Sequence, residues 1–371
     1  MKSIVRAVIV LFCGIAPAAI IAQAEPASAP CTPKFPLEHN QIDGWLGADA
    51  AYSIPLPDGR DVWIFGDTLY GKKRVVRDGT PQMVRNSIGI STCKNGRWKL
   101  HYVIRKDANG QPQSFFEPQH PDSWYWAMDG FIDGHDLWVT LLCVRNSPAK
   151  SQAMAFATCG TDLARISSPG PDPQQWKIDY FPLVPDGTHA YPSAAVTSVA
   201  KHEDLFALYE QGTRPLLVTR LPLEGLDHPE KQLEYLASDG QWRSGFDPSH
   251  AFQVMAKGSP ELSIRYHPEL KQWVSIMFDP DAFSSKILLR TAPAPTGPWS
   301  KGKVIYQVPV MQMQNPGYDK NTFCYAAKEH PEFEQSNLVF TYVCNTFDVQ
   351  SLATNTGIYF PRVVRMPWPK E

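Results

Sequence analysis

The chain has 371 residues, with 35 Lys and Arg against 37 Asp and Glu for a formal net charge of −2. That balance, with no Lys/Arg run, argues against nucleic acid or another polyanion as partner. With 34 Pro, 24 Gly and an aromatic share of 12%, and almost no helical periodicity, the composition predicts an all-β chain of short strands and many turns.

The N-terminus sets the compartment. Lys2 and Arg6 precede an apolar run from Ala7 to Ile21, and Ala22-Gln23-Ala24 supplies the small-x-small pattern of a secretory cleavage site. The run is too short and wrongly flanked for a membrane span, and neither Cys13 nor Cys31 has a lipoprotein-type sequence before it. No later segment has enough consecutive apolar residues to cross a bilayer. Residues 1–24 therefore read as a signal peptide cleaved near Ala24, residues 25–43 as an N-terminal arm and residues 44–371 as one domain. The exported product, secreted or periplasmic, is expected to be a soluble monomer. Losing Lys2 and Arg6 takes its formal net charge from −2 to −4.

After the signal the chain repeats a phrase: an apolar strand, a turn, and a second strand with Trp or Phe near its start. The five instances run from "GADAAYSIP" into "DVWIFGD", "WYWAMDGFI" into "DLWVTLLCV", "YPSAAVTSVA" into "DLFALYEQ", "PELSIRY" into "QWVSIMFD", and "NTFCYAA" into "NLVFTYVCN". Several continue into third and fourth strands, as in "SIGISTCKNGRWKLHYVI". A period of about fifty to seventy residues in an all-β chain predicts a five-bladed β-propeller with four-stranded antiparallel blades. A large β-sandwich is the alternative.

Six cysteines remain after the signal, and an even number in an exported chain reads as disulfides, with fifteen possible connectivities. On the blade frame, Cys143 and Cys159 face each other across a hairpin of blade two, and Cys324 and Cys344 lie on adjacent strands of blade five. Cys31–Cys93 follows by elimination. There is no Cys-x-x-Cys and no Cys/His cluster, so neither a metal site nor a cofactor is expected; a cation on the propeller axis is left open.

In such a fold the start of each first strand, the end of each second and the start of each third meet at one face. Blade one places Asp49, Asp67 and Arg85-Asn86-Ser87 there. Around the Asp58-Gly59 turn the two aspartates are directly opposed if the loop holds three residues, and offset by one if it holds two. Paired carboxylates are what glycosidic cleavage needs, one protonated to help the leaving oxygen and one ionised to activate water or attack. Proximity raises one of the two pKa values. The bland alternative for Asp67 is that Gly66-Asp67-Thr68 merely ends a strand, being good turn material. Glu261, at the start of blade four's first strand, is the third candidate acid. Trp124 and Trp126 at blade two, and Tyr191 at blade three, offer flat faces for sugar rings, and Arg290 lies in blade four's third strand. Asp129, in mid-strand, reads as structural. There is no Gly-x-Ser-x-Gly elbow, no Gly-rich phosphate loop and no sialidase-type Ser-x-Asp-x-Gly-x-Thr-Trp box.

The stretches "GADAAYSIPLPDGRDVWIFGDT", "RNSIGI", "SPELSIRYHPELKQWVSIMF" and "LLRTAPAPTGPWS" resemble a bacterial group labelled a domain of unknown function and linked to endo-D-arabinanases. More distantly they resemble the five-bladed arabinanase and β-xylosidase propellers. The likeness spans roughly Gly44 to Arg365. It implies a glycoside hydrolase acting on arabinofuranoside or related furanoside linkages in a cell-wall or plant polysaccharide, with Asp49 as base or nucleophile and Asp67 as general acid. The rival readings are a carbohydrate-binding propeller without catalysis and a protein-interaction propeller.

Overall fold

The computed structural model describes residues 31–35, 44–148, 155–281 and 283–369; the expected signal peptide lies outside them. The chain forms a five-bladed β-propeller of antiparallel blades in sequence order. Blade one consists of Trp45–Pro55, Arg60–Tyr70, Ser87–Lys94 and Arg97–Val103. Blade two consists of Ser123–Asp133, Asp136–Asn146, Phe156–Ile166 and Asp179–Val184. Blade four consists of Leu262–His267, Gln272–Phe278, Lys286–Ala292 and Lys303–Gln307. Blade three, from Ala190 to Ser244, carries a fifth short strand, and blade five pairs three: Thr322–Glu329, Asn337–Thr346 and Arg362–Pro367. No helix among the described residues is long and apolar enough to cross a membrane.

Five inner strands converging on one axis leave little room for side chains, and the sequence meets that constraint with small residues. Ala48, Ala50 and Ala51 of blade one, Ala127 of blade two, Ala194 and Ala195 of blade three, and Ala326 and Ala327 of blade five are all buried. Four of the five inner strands also break register, at Ala48–Tyr52, Ala127–Gly130, Pro192–Ala195 and Tyr325–Lys328. Such bulges bend a strand and re-aim its side chains. Ala50, Ala51 and Ala326 take left-handed backbone conformations with φ of 60°, 67° and 60°, a strained choice for residues with a Cβ. Larger rings fill the wider space between blades, as where Trp63 stacks on Phe333 with centroids 5.6 Å apart.

Charged side chains hold the axis. Arg265 of blade four forks onto Asp129 of blade two, with Nη2 3.2 and 3.0 Å from the two carboxylate oxygens. Its Nη1 donates to Val196 O of blade three, and Val196 N donates back to Asp129. Asp129 is therefore structural, as its mid-strand place suggests, and joins three blades. Disulfides link Cys143–Cys159 and Cys324–Cys344 within blades, and Cys31–Cys93 ties the arm to blade one. Beside that link Phe35 packs edge-on against Trp63 at 5.0 Å.

Breaking a buried pair leaves one charge uncompensated, a loss of about 3–5 kcal/mol. Asp129→Ala is expected to lower unfolding free energy by that order in a urea titration. A change near zero would show that the Arg265 contact does not hold the blades.

Candidate active site

The mouth of the channel is built from the first hairpin upward. Leu56 N donates to Arg60 O, so Pro57-Asp58-Gly59 is a three-residue loop, and pairing runs in that register from Pro55↔Asp61 to Tyr52↔Ile64. Beyond it the two bulges intervene, and pairing resumes at Ala48↔Thr68. Asp49 thus faces the Gly66-Asp67 step. Gly66 is required there, because a Cβ on residue 66 would collide with Asp49 Oδ1. Gly47, at φ 151°, serves the same end one turn away. A Cβ on it would strike Tyr359 O, from the loop that Arg74 clamps by donating to Leu46 O, Asn355 O and Ile358 O. The loop so held delivers the Tyr359 hydroxyl to the Asp49 carboxylate, 3.3 Å from Oδ2, and to the backbone carbonyl of Asp67 at 3.0 Å.

Three carboxylates gather there. The Tyr325 hydroxyl donates to Asp49 Oδ2 at 2.6 Å. Both tyrosines bond Oδ2, leaving Oδ1, over Gly66, as the oxygen able to carry a proton. Burial, with the charges of Asp67 and then Glu261, pushes Asp49 up to about 8. Burial raises Asp67 only to about 6, because Arg85, 3.4 Å away, and the Trp126 side chain pull it back. Asp67 Oδ1 is nevertheless buried with no hydrogen-bond partner among the described residues. Glu261 takes a different counter-ion: Lys328 Nζ lies 2.6 Å from its Oε2 and also donates to Ala50 O and Ala326 O. The ammonium sits over the Tyr52 ring at 4.2 Å. Burial pushes Lys328 down, and Glu261 raises it again. Both aspartates are thus raised by burial, Asp49 further by the charges of Asp67 and Glu261, while the Arg85 guanidinium holds Asp67 back.

The other expected residues divide. Arg85 stands at the mouth, its guanidinium 4.1 Å above the Trp124 ring, and Trp126 lies beside Asp67 and edge-on to Phe156 at 4.7 Å. Asn86 is fully buried, its amide spent on backbone groups of Phe116 and Tyr125, so it supports the wall rather than meeting a ligand. Tyr191 is a core residue between blades two and three. Arg290 is turned away to Ser300 O at 3.0 Å, because the strand register carries it well past the start of blade four's third strand.

Lys328, Tyr325 and Tyr359 also belong to the site. Lys328 alone leaves a trace in the sequence, as a solitary cation in the apolar strand "FCYAAKE". A ring cluster runs outward from the acids: Phe323 stacks on Tyr325 at 5.6 Å and on Phe347 at 4.4 Å, and Phe283 meets Phe347 edge-on at 5.1 Å. Phe283 and Phe347 are 56% and 38% exposed, more than a core cluster would be.

Comparison with known proteins agrees with the fold. The chain belongs to the family described as a domain of unknown function, DUF5005, which it matches over residues 37–368. A crystal structure of a candidate hydrolase from Bacteroides ovatus is similar at 18% identity and a TM-score of 0.67, over 88% of this chain and 86% of that one. A xylan β-1,4-xylosidase from Bacillus halodurans is similar at 8% identity and a TM-score of 0.50, over 90% of this chain and 55% of that one. No curated protein matches the sequence.

The site's electrostatics are testable through stability. A carboxyl raised on folding binds its proton more tightly in the folded state, so stability is lost as pH rises from the unfolded value near 4 through about 8. Asp49→Asn removes that loss. Its melting temperature is expected to exceed the wild type's by a margin that widens between pH 5 and pH 8, and a margin independent of pH would contradict the raised value.

Proposed function

For this member of the DUF5005 family we propose a glycoside hydrolase with a two-carboxylate mechanism. The observation that carries this reading is the cluster of Asp49, Asp67 and Glu261 at the channel mouth, with Asp49 raised to about 8 and Asp67 to about 6. Two titratable groups whose surroundings push them apart provide an acid and a base at one pH. Asp49, protonated on Oδ1, donates to the departing glycosidic oxygen. Asp67, ionised beside Arg85, activates water or attacks the anomeric carbon. Glu261, held by Lys328, adds negative charge that keeps the proton on Asp49.

The substrate class proposed is a polysaccharide with arabinofuranoside or related furanoside linkages, from a cell wall or plant source. The "GAD…PDGR…WIFGDT" hairpin, which resembles arabinanase-type sequences, supports that choice. Trp124, Trp126 and the ring cluster at Phe323 and Phe347 supply apolar faces beside the acids against which sugar rings can lie. Action outside the cytoplasm is part of the proposal. It is supported by the signal-like N-terminus and by the three disulfides.

The test is product release from arabinans, arabinogalactans and xylans. The wild type is expected to liberate oligosaccharides with a bell-shaped pH dependence, its limbs near 6 and 8. Asp49→Asn and Asp67→Asn are each expected to lose at least ~100-fold, the scale of general acid–base work. Absence of product from every glycan would sink the proposal.

A further inference from the structure

A second cluster lies away from the mouth, where the inner strands of blades four and five end. His267 closes the strand Leu262–His267, Glu329 closes Thr322–Glu329, and Glu334 follows the turn Pro331–Phe333. All three are buried, and one ligand atom from each lies within 4.8 Å of the others. His267 Nε2 approaches Glu329 Oε1 to 2.8 Å, yet among the described residues neither that nitrogen nor either Glu329 oxygen takes part in an aligned hydrogen bond. Buried carboxylate oxygens without donors are costly. Here Glu329 Oε1 has the His267 ring nitrogen beside it, and a second carboxylate, that of Glu334, lies within 4.8 Å.

The surroundings orient these groups as ligands. His267 Nδ1 is 2.9 Å from Glu269 Oε1. A carboxylate on the far ring nitrogen fixes the tautomer that presents Nε2 and is the usual support behind a metal-bound imidazole. Glu334 Oε1 accepts from Val339 N at 3.0 Å, which fixes that side chain while leaving Oε2. Ser263 Oγ accepts from Glu329 N at 2.9 Å, and Trp368 closes one side edge-on to the His267 ring at 4.8 Å.

We propose that His267, Glu329 and Glu334 form a structural site for a small divalent cation of the zinc type, which staples blade four to blade five. One imidazole with two carboxylates is a mixed nitrogen–oxygen donor set that zinc accepts, with water completing four-fold coordination. Calcium, which takes six to eight oxygens, is poorly served by three ligands of which one is nitrogen. The two formal negative charges of the glutamates are balanced by the ion. The staple sits where it is useful, since blade five pairs three strands among the described residues and completes the ring. Nothing in this site depends on the chemistry proposed for the mouth.

The test uses the mature chain, stripped with a chelator and then titrated with ZnCl2 or CaCl2 by calorimetry and thermal melting. One Zn2+ per chain is expected, with a higher melting temperature, and CaCl2 at the same concentration is expected to do neither. Glu329→Gln should abolish tight uptake. Glu269→Gln, at a side chain 61% exposed and therefore tolerant of change, should weaken it about 10–100-fold. It serves as the deciding variant if Glu329→Gln does not fold. The proposal is overturned if the stripped wild type takes up no Zn2+, or if Glu269→Gln binds it with unchanged affinity.

Discussion

Five strands meet at one axis, and charge has to be buried there. Small residues let the strands converge, but their bulges leave backbone groups off the sheet ladders, and these need partners. Arg265 and Lys328 supply them: Arg265 binds Asp129 and Val196 O, and Lys328 binds Glu261, Ala50 O and Ala326 O. Each long side chain reaches from its own blade to others, so the ion pairs do what apolar packing does farther out. A buried pair of this kind is weak evidence for net stability but strong evidence for a specified arrangement, because either half alone is costly.

The candidate chemistry grows out of the same constraint. Lys328 holds Glu261 as a neighbouring carboxylate, and burial, with the charges of Asp67 and then Glu261, raises the proton affinity of Asp49. The tyrosines that bond Asp49 come from blade five and from the loop leading to its last strand, so the site is completed only when the ring closes. Burial and the charge of Asp49 raise both Tyr325 and Tyr359, so both remain donors. Gly66 and Gly47 mark where backbone must approach a side chain or another loop too closely for a Cβ. The strain at Ala50, Ala51 and Ala326 is concentrated on the strands that carry Asp49 and Tyr325, where a fixed geometry is of most use to a catalyst.

Local pattern made the blades legible. Alternation, turn residues and the repeated two-strand phrase are short-range signals, but the register around Asp58-Gly59 stayed open between two loop lengths, and the bulges at Ala48–Tyr52 that bring Asp49 to the Gly66-Asp67 step left no mark in the sequence. Tertiary placement was not legible in the same way. Asn86 and Tyr191 stand at plausible mouth positions in sequence, yet a neighbouring segment's backbone claims one and the inter-blade core the other. Arg290 lies in the expected strand but too far along it. Tyr359 arrives from a long connection whose path depends on Arg74 and Gly47. The proton order proposed for the acid pair was not legible either, since it rests on Glu261 and Arg85, which lie 212 and 36 residues from Asp49 by their numbering in the chain.

The central claim is that one proton is held at the mouth near neutral pH, on Asp49. The most direct measurement is a carboxyl-carbon NMR titration of the unliganded wild type beside Asp49→Asn and Asp67→Asn. Two mouth carboxyls titrating near 6 and 8, with the upper step absent from Asp49→Asn, are the expected result. Both aspartates titrating as ordinary carboxyls near 4 would contradict it and leave the site without its acid.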